Sequence, residues 1–344
     1  MNAASNPLIR PILAAEYPAE VALLNAAYSA GPYAADLDGD PEWERSVNDT
    51  AGRDADGQVI VIEESGKLLG AASVLRPGTS HAKLAGEGEA ELRLVAVDPG
   101  AQGRGIGEAL VRAGLEVALG WGRSALRLDT GVRNPAQRLY ARLGFKHTAE
   151  LDAQRTSTGY GDSLTYRYAL QERTDVRVRL IRAEEVPAVS ALVLAAYRDD
   201  YAHLDPGYLA QIADVAARAE AHLVWVAEDV KTGELLGTVT TPRHRELLTE
   251  VSVPGEMDIR LLGVSQSARG RGIGELLTKH SMRLARIRGI DRLVLETSPL
   301  MEAAWRLYER LGFERLSERD RAITLASGDE LRLLTYAHAT GETA

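Results

Sequence analysis

One long string occurs twice in this chain, and the duplication constrains the fold more than any other sequence feature. Residues 96–115 read AVDPGAQGRGIGEALVRAGL, and residues 263–282 read GVSQSARGRGIGELLTKHSM. Two further pairs match in the same order: LYARLGF with LYERLGF, and AEVALLNAAY with VSALVLAAY. The offset stays between 167 and 169 residues for three landmark pairs: Gly105 and Gly272, Tyr140 and Tyr308, and Tyr28 and Tyr197. One long period of this kind predicts a copied domain, not a short-repeat solenoid.

The two copies share one predicted order of elements. The charged segment LQERTDV separates them, so the sequence predicts two domains, 1–172 and 173–344. Each copy predicts a strand, a helix, a variable polar stretch, a hairpin and a third strand. The glycine string, a helix, a strand, a helix and closing strands follow, with Gly-Asp turns at 161–162 and 328–329. Hairpins with one strand-helix-strand crossover indicate α+β domains, each a mixed, mostly antiparallel sheet flanked by helices.

Composition argues against several classes of partner and site. A formal charge of -9 argues against nucleic acid or an anionic membrane as the main partner, because both select clustered Lys and Arg. The chain has no cysteine and seven scattered histidines, which argues against a metal site. It begins without a signal-peptide pattern, and no apolar run reaches about 18 residues, so we expect a cytoplasmic protein without a membrane span.

The glycine string stands between a predicted strand and a predicted helix. Its glycines leave backbone N–H groups uncovered at the positive end of the helix dipole, where a diphosphate fits. A Walker loop would end in Lys followed by Ser or Thr, but Gly107 is followed by Glu108. A dinucleotide fingerprint, GxGxxG, would start directly after the strand. Here five residues, Asp98 to Gln102, come between, and the third glycine of that pattern is missing. The alternative is a plain turn that starts a helix, although two near-identical copies make that alternative weaker.

These strings resemble those of the GCN5-related N-acetyltransferases, the GNAT family. The acetyl-CoA loop of that family reads Gln/Arg-x-x-Gly-x-Gly/Ala, and it is matched in each copy: Gln102, Gly105 and Gly107, then Arg269, Gly272 and Gly274. NPAQRLYARLGF is similar to a second family pattern, Asn-x-x-Ala-x-x-Leu-Tyr-x-x-x-Gly-Phe, with its alanine one position earlier. The resemblance covers both copies and implies two tandem GNAT domains, acetyl-CoA as cofactor and direct acetyl transfer to an amine.

The resemblance also implies which residues hold the cofactor. Backbone groups of one strand would pair with the pantetheine arm: Val95, Ala96 and Val97, or Leu262, Gly263 and Val264. The glycine loops would hold the pyrophosphate: Gln102, Gly103, Arg104, Gly105, Ile106 and Gly107, or Arg269, Gly270, Arg271, Gly272, Ile273 and Gly274. Asn134 stands at a position where members of the family often contact the cofactor. Together with Pro135 it also predicts the start of a helix. Glu302 stands there in the second copy, whose start signal, Ser298-Pro299, predicts a helix about one turn longer.

The resemblance assigns Tyr140, and Tyr308 in the second copy, as the acid that protonates the departing thiolate. A backbone N–H near Val95 would stabilise the oxyanion. The alternative for Tyr140 is structural, because it belongs to an apolar stripe at helical spacing with Ala136, Leu139 and Leu143.

Strand alternation suggests a base. In ELRLVAV it places four residues on the face expected to line the acetyl site: Glu91, Arg93, Val95 and Val97. Glu91 also resembles, by position, a catalytic Glu of the histone-acetylating branch, so we expect it to take the amine proton while Arg93 meets an anionic group of the acceptor. Asp258 and Arg260 repeat the pair. The alternative is a solvated ion pair whose arginine lowers the pKa of the acid.

The acceptor is the least determined part of the function. The stretches 29–57 and 198–222, which should wall the acceptor site, differ strongly between the copies. The first contains five acids that form either a solvated face or a surface attractive to a cationic amine: Asp36, Asp38, Asp40, Glu42 and Glu44. A polyamine, an aminoglycoside, an amino acid and a peptide N-terminus all remain candidates. One or both copies could be active, and a CoA-binding sensor or assembly module is the alternative to an enzyme; the oligomeric state is not predicted.

Overall fold

The computed structural model describes four ranges of the chain: 7–152, 163–200, 206–324 and 330–341. The chain divides into two compact units, Met1–Leu170 and Gln171–Ala344. The division falls within the charged segment LQERTDV, two residues before the boundary that we placed from the sequence. The Gly-Asp turns predicted at 161–162 and 328–329 lie outside the described residues.

The first unit is a mixed sheet with helices on both faces. Its strands are β1 (Leu8–Pro11), β2 (Gly57–Glu64), β3 (Lys67–Leu75), β4 (Ala90–Val97), β5 (Ala125–Gly131), β6 (Lys146–His147) and β7 (Ser163–Ala169). Its helices are α1 (Tyr17–Ser29), α2 (Ala34–Leu37), α3 (Pro41–Asn48), α4 (Thr50–Asp56), α5 (Ile106–Gly120), α6 (Gln137–Arg142) and α7 (Ala149–Asp152). Among the described residues the strand order is β1-β2-β3-β4-β5-β7-β6, and β4 and β5 form its parallel pair.

The second unit repeats this plan. Its strands are β8 (Val176–Leu180), β9 (Leu223–Asp229), β10 (Leu235–Thr241), β11 (Glu256–Val264), β12 (Arg292–Thr297), β13 (Glu314–Arg315), β14 (Arg321–Thr324) and β15 (Glu330–Ala339). Its helices are α8 (Val186–Asp200), α9 (Pro206–Ala213), α10 (Val215–Ala221), α11 (Ile273–Arg288) and α12 (Glu302–Arg310). The described strands follow the order β13-β15-β12-β11-β10-β9-β8, β14 pairs with β15, and β11 and β12 are parallel. The predicted α+β class and mixed sheets are confirmed.

Helix α5 crosses from β4 to β5 and packs closely on the sheet. The close approach depends on Gly70 in β3, where a Cβ would lie 2.7 Å from the Ile106 side chain and 2.9 Å from that of Leu110. A larger residue would push the first turn of α5 away. The glycine therefore sets the start of α5, and the loop before it, against the end of β4.

The polar stretch before β2 is helical, which we did not predict from its charges. Its helices α3 and α4 are tied to α1 by a buried ion pair in which Arg53 Nη2 lies 2.9 and 2.7 Å from the two carboxylate oxygens of Glu20. The side chains are 1% and 0% exposed. Arg53 also donates to the Ser73 hydroxyl at 3.2 Å and to the Val47 carbonyl at 3.0 Å. This network fixes the helices that border the cavity described below.

The second unit keeps only part of this network. Arg218 donates to the carbonyls of Gln211 and Ile212 at 2.5 and 2.8 Å, as Arg53 does to the end of α3. Val189, a fully buried apolar residue, aligns with Glu20. The carboxylate partner was thus replaced by core packing in this copy.

A buried histidine should make the second unit sensitive to acid. His280 in α11 is 2% exposed beside Trp225, with 4.4 Å between the ring centroids. Burial lowers the pKa of the imidazole to about 3. Below pH 6.5 the unfolded chain therefore binds a proton that the folded chain does not, so the free energy of unfolding falls as the pH falls. Between pH 7 and pH 5 the loss should be about 2 kcal/mol.

Urea unfolding of wild-type protein and His280→Met at both pH values measures this loss, with hydrogen exchange of α11 peptides to isolate the second unit. The exposed His244 provides the control variant His244→Gln. An equal pH dependence in wild type and His280→Met would contradict the prediction.

Two features are absent from the described residues. None of their helices has the length and apolar character needed to cross a membrane. Nor do they contain a group of three or more His, Asp or Glu side chains placed to hold a metal ion.

Candidate active site

Strand β4 carries a bulge that reverses the faces expected from its sequence. Leu94 has φ 51°, a left-handed value that a leucine rarely adopts, and the pairing of β3 with β4 shifts beside it. Before the bulge, Leu92 faces α5, since its side chain would lie 2.8 Å from a Cβ at Gly114. After the bulge, Leu94 and Ala96 pack in one cluster with residues of α1 and α3, on the opposite face.

The bulge corrects the predicted alternation. Val97 faces α5, because its side chain would lie 3.6 Å from a Cβ at Gly107. Glu91 and Arg93 alternate with Leu92 and therefore share the face of Leu94. The prediction that they lie on the same face as Val97 was wrong, because the bulge adds one residue between them.

Strand β11 of the second unit has a strained leucine at the equivalent position. Leu261 has φ 52° and packs against the cluster that contains α8 residues. Leu262 and Val264 face α11, each 3.8 Å from the Cβ position at Gly274. Strain that persists at one position in two copies marks a feature tied to function or folding.

A cavity opens where β4 and β5 separate. The two strands pair at two positions, Ala90 with Leu126 and Glu91 with Arg127, and then diverge. Residues 92–97 of β4 and 128–131 of β5 line a cavity of about 540 Å³. Its other walls include side chains from α1, α3, α6 and the adjoining loops: Tyr28, Trp43, Tyr140, Gln102 and Asn134. This volume lies within the range typical of small-molecule sites.

The glycine loop beside the cavity has room for an anion. Gly103 and Gly105 have φ of 78° and 79°, and a Cβ at either would meet nothing within 4 Å. Within the described part of the chain, the backbone N–H groups of residues 103–108 have no hydrogen-bond acceptor. Open space in front of donors at a helix start fits the diphosphate of acetyl-CoA. Arg104 stands at the edge of the loop, paired with Glu64 at 2.7 Å.

The second loop has the same backbone but more internal contacts. Gly270 and Gly272 have φ of 76° and 73°. The N–H of Arg271 donates to the Ala268 carbonyl at 3.2 Å, and its own carbonyl accepts from Arg173 at 2.7 Å. The side chain of Arg271 pairs with Asp229 at 2.8 Å. This loop therefore offers fewer uncommitted groups to a ligand than the first.

Tyr140 reaches the cavity from α6. It is 5% exposed and lies near Phe145 and Tyr166, each with 5.9 Å between ring centroids. Burial raises the pKa of its phenol, so the hydroxyl keeps its proton at neutral pH. Tyr308 is equally buried in the second unit, 5.7 Å from the ring of Phe313.

Glu91 uses its carboxylate to hold the loop between β3 and β4. Oε2 accepts backbone N–H bonds at 2.7, 2.5 and 3.1 Å from Lys83, Leu84 and Ala85. Burial raises the pKa of this carboxyl. Oε1 lies 3.6 Å from Arg93 Nε, and Glu91 is not among the described residues that line the cavity. The structure thus favours an anchoring role for Glu91 over that of base.

The equivalent acid of the second unit anchors its own loop. Asp258 is 1% exposed; Oδ1 accepts from the Leu248 N–H at 3.1 Å and Oδ2 from the Thr249 hydroxyl at 2.6 Å. The two arginines differ. Arg93 lines the cavity and donates to the His81 carbonyl at 2.8 Å, whereas Arg260 is exposed and bonded to the Tyr208 hydroxyl.

The helices that carry the tyrosines start later than predicted. Asn134 lines the cavity, and its Oδ1 accepts from the Ala136 N–H at 3.0 Å, but α6 begins only at Gln137. Helix α12 has nine residues against six in α6, which agrees with a helix about one turn longer. It begins at Glu302, not at Ser298-Pro299, because Ser298 forms a separate turn with Leu300. The Glu302 carboxylate is exposed and paired with Arg306 of its own helix.

The acidic stretch near the cavity is largely committed to local contacts. Asp36 pairs with Arg133, and Glu42 pairs with Lys83. Asp40 caps α3 by accepting from the N–H groups of Glu42 and Trp43 at 2.7 and 3.0 Å. The carboxylates of Asp36 and Glu42 in this wall of the cavity are therefore paired with basic side chains.

The cavity residues that sequence reasoning missed include Tyr28 and Asp129. Tyr28 entered only as a landmark of the duplication, although its ring lies 4.5 Å from that of Trp43 in the cavity wall. Asp129 lies on β5, and its Oδ2 accepts from the Ser163 hydroxyl at 3.0 Å. A signal was present, since ALRLDT and RLVLET place an acid, Asp129 or Glu296, at the same step.

Known proteins match the chain in both halves. The model of the acetyltransferase (GNAT) family matches residues 21–145 and 186–313. The mycothiol acetyltransferase of Rhodococcus opacus (strain B4) is 30% identical over 283 residues, which are 80% of this chain and 86% of that protein. That of Rhodococcus jostii (strain RHA1) is 29% identical with the same coverage. A solved GNAT acetyltransferase from Staphylococcus aureus Mu50 covers 48% of this chain and 99% of its own, at 15% identity and a TM-score of 0.38.

The two family matches fall on the two copies that the sequence and the fold define independently. They span the bulged strand, the glycine loop and the buried tyrosine of each unit. The chain therefore belongs to the acetyltransferase (GNAT) family, and it is an N-acetyltransferase that uses acetyl-CoA as its acetyl donor.

Proposed function

We propose that the first unit transfers the acetyl group to the primary amine of a small molecule in the cavity between β4 and β5. The observation that supports this most is that the bulged segment of β4, Gln102 at the start of the glycine loop and Tyr140 line one cavity of about 540 Å³. The relatives at 29% and 30% identity are named mycothiol acetyltransferases, so an amine related to mycothiol is the first acceptor to test. We assign the reaction to the cytoplasm.

Acetyl-CoA supplies the thioester, and the first unit supplies the groups that hold it. The N–H groups of residues 103–108 bind the diphosphate, where the dipole of α5 adds positive potential. The backbone of residues 95–97 pairs with the pantetheine arm. The N–H near Val95 faces negative charge that develops on the carbonyl oxygen. Gln102 and Asn134, both in the cavity wall, complete the cofactor side.

Tyr140 provides the acid in this proposal. Its raised pKa keeps a proton on Oη at neutral pH, ready for the sulfur that leaves as a thiolate. Arg93 binds an anionic group of the acceptor from the opposite wall. The second unit binds acetyl-CoA through residues 269–274 and supports the first unit without turnover, because its loop is more committed to internal contacts.

Tyr140→Phe tests the proposal. We expect kcat to fall about 100-fold, because the variant loses the proton donor but keeps the ring. The dissociation constant of acetyl-CoA should stay within about twofold. The assay is release of the CoA thiol with a panel of amines: mycothiol lacking its acetyl group, kanamycin, spermidine and glycinamide.

Tyr308→Phe is the matched variant in the second unit. Full turnover in Tyr140→Phe together with lost turnover in Tyr308→Phe would assign catalysis to the second unit and overturn the proposal. Calorimetric titration of both variants with acetyl-CoA separates a loss of chemistry from a loss of binding.

A further inference from the structure

We propose that Arg133 limits the size of the acceptor, because it holds helix α2 across the cavity of the first unit. This inference rests on the proposed function, since it takes that cavity as the place where the amine binds. It makes Arg133 a residue that determines specificity, not one that takes part in the acetyl transfer. An enzyme whose α2 is released from Arg133 should accept bulkier amines.

Helix α2 separates two cavities. Asp36 lines the cavity of about 540 Å³ beside β4 and β5, whereas Ala34 and Ala35 line a second cavity of about 430 Å³. Three residues line both cavities: Tyr28, Leu37 and Trp43. Since α2 has four residues, the partition between the cavities is about one helical turn. Displacing that turn would join the two cavities into one larger space.

The polar contacts of this partition converge on Arg133, just after β5. The backbone N–H of Arg133 donates to the Tyr33 hydroxyl at 2.7 Å, and its guanidinium pairs with the Asp36 carboxylate. Arg133 Cζ also lies 4.2 Å from the centroid of the Tyr33 ring, a cation–π contact. Within the described ranges, no other residue outside 28–40 forms a hydrogen bond or ion pair with residues 31–37. Arg133 therefore supplies the polar contacts that tie α2 to the end of β5.

Gly131, the last residue of β5, makes room for the contact. A Cβ at Gly131 would lie 2.1 Å from the Tyr33 hydroxyl oxygen and 2.2 Å from Cζ of the same ring. The tyrosine can therefore lie against the strand only because this position has no side chain. Alanine at this position would displace Tyr33, and with it α2, without changing any charge.

The tie is weak enough to be released by one substitution. The side chains of Asp36 and Arg133 are 45% and 55% exposed, and exposed ion pairs contribute little to stability. Helix α2 contains no buried residue, so its displacement does not open the core of the unit. A variant that loses the tie should therefore stay folded, and its cavity should admit a larger acceptor.

The second unit lacks the cation that makes this tie. After β12 the chain reads SPLM at residues 298–301, a stretch without a basic side chain. In the register that aligns Glu296 with Asp129, Leu300 takes the place of Arg133, and it is 76% exposed. A leucine cannot pair with a carboxylate, so the restriction that we assign to Arg133 belongs to the first unit.

Arg133→Gln and Gly131→Ala test the inference by two independent routes. The readout is the ratio of kcat/KM for kanamycin, the bulkiest amine of the panel, to that for glycinamide, the smallest. We expect this ratio to rise about fivefold in each variant, the effect of losing one exposed ion pair and one cation–π contact. Hydrogen exchange of peptides that cover residues 29–39 should become faster in both. The control is Arg138→Gln, at an exposed arginine of α6, which should change neither the ratio nor the exchange.

The outcomes separate the two proposals. An unchanged ratio in folded Arg133→Gln and Gly131→Ala, with or without faster exchange, overturns the role of Arg133; an impaired Tyr140→Phe alongside leaves the proposed function standing. A lower ratio would mean that α2 retains bulky amines instead of excluding them, and a rise in Gly131→Ala alone would place the limit in β5; both overturn the inference. If neither the wild type nor any variant acetylates an amine of the panel, the proposed function fails and the inference fails with it.

Discussion

Replacing Glu20 by glutamine is expected to lower the free energy of unfolding of the first unit by about 3–5 kcal/mol. The change leaves the guanidinium of Arg53, which is 1% exposed, without its counter-charge. Hydrogen bonds to the Ser73 hydroxyl and the Val47 carbonyl remain, but they do not neutralise a buried charge. Urea unfolding gives the total change, and hydrogen exchange of peptides from α1 and β3 assigns it to the first unit.

Two variants control for this prediction. Arg142→Gln removes an exposed partner of Glu108, its own side chain being 64% exposed, and should cost less than about 1 kcal/mol. The double variant Glu20→Met/Arg53→Met removes both buried charges and should recover part of the loss, as the valine that replaces the acid in the second unit suggests. A cost below about 1 kcal/mol for Glu20→Gln alone would mean that water or rearrangement compensates the charge.

The duplication and the order of elements could be predicted because their signals are local. Repeated strings reveal copied domains, and glycines mark places where the backbone turns. Gly144 and Gly312, just after the helices that carry Tyr140 and Tyr308, have φ of 91° and 82°, as is common for a glycine that ends a helix. Four glycines of the loops also adopt left-handed φ values: Gly103, Gly105, Gly270 and Gly272.

The strand faces could not be predicted because the bulge has no sequence signal. A leucine at φ 51° is unfavourable on its own and is stable only within the surrounding sheet. Leu94 therefore looks like an ordinary member of an alternating strand. The single extra residue moved Glu91 to the face opposite that of Val97, so the alternation that suggested Glu91 as the base does not hold, and its role stays a prediction.

The helices in the wall of the cavity were not predicted, for a different reason. The stretch before β2 was interpreted by its charge, whereas its structure depends on caps and on one buried arginine. Asp40 and Asp49 each accept N–H bonds at the start of a helix, so two of its acids serve as local helix signals. Arg53 satisfies a carboxylate 33 residues away, which no local pattern reveals.

Replacing Gly105 by valine is expected to weaken the binding of acetyl-CoA to the first unit about 10³-fold. The φ of 79° suits glycine, and a β-branched residue there costs roughly 1–2 kcal/mol or moves the loop. The new side chain would also fill the open space in front of the N–H donors. Losing two charge-assisted hydrogen bonds at about 1.5–3 kcal/mol each accounts for the expected change.

Calorimetric titration with acetyl-CoA measures this prediction and the number of sites together. We expect two sites per chain in the wild type, one in Gly105→Val, and one in Gly272→Val, whose φ is 73°. Gly66→Val is the matched control, because Gly66 has φ 81° in the turn between β2 and β3 and a Cβ there meets nothing within 4 Å. It should lower stability as Gly105→Val does and leave both sites intact. A wild-type chain with one site that Gly105→Val does not weaken would show that the second loop alone binds the cofactor, and the two-site prediction would be wrong.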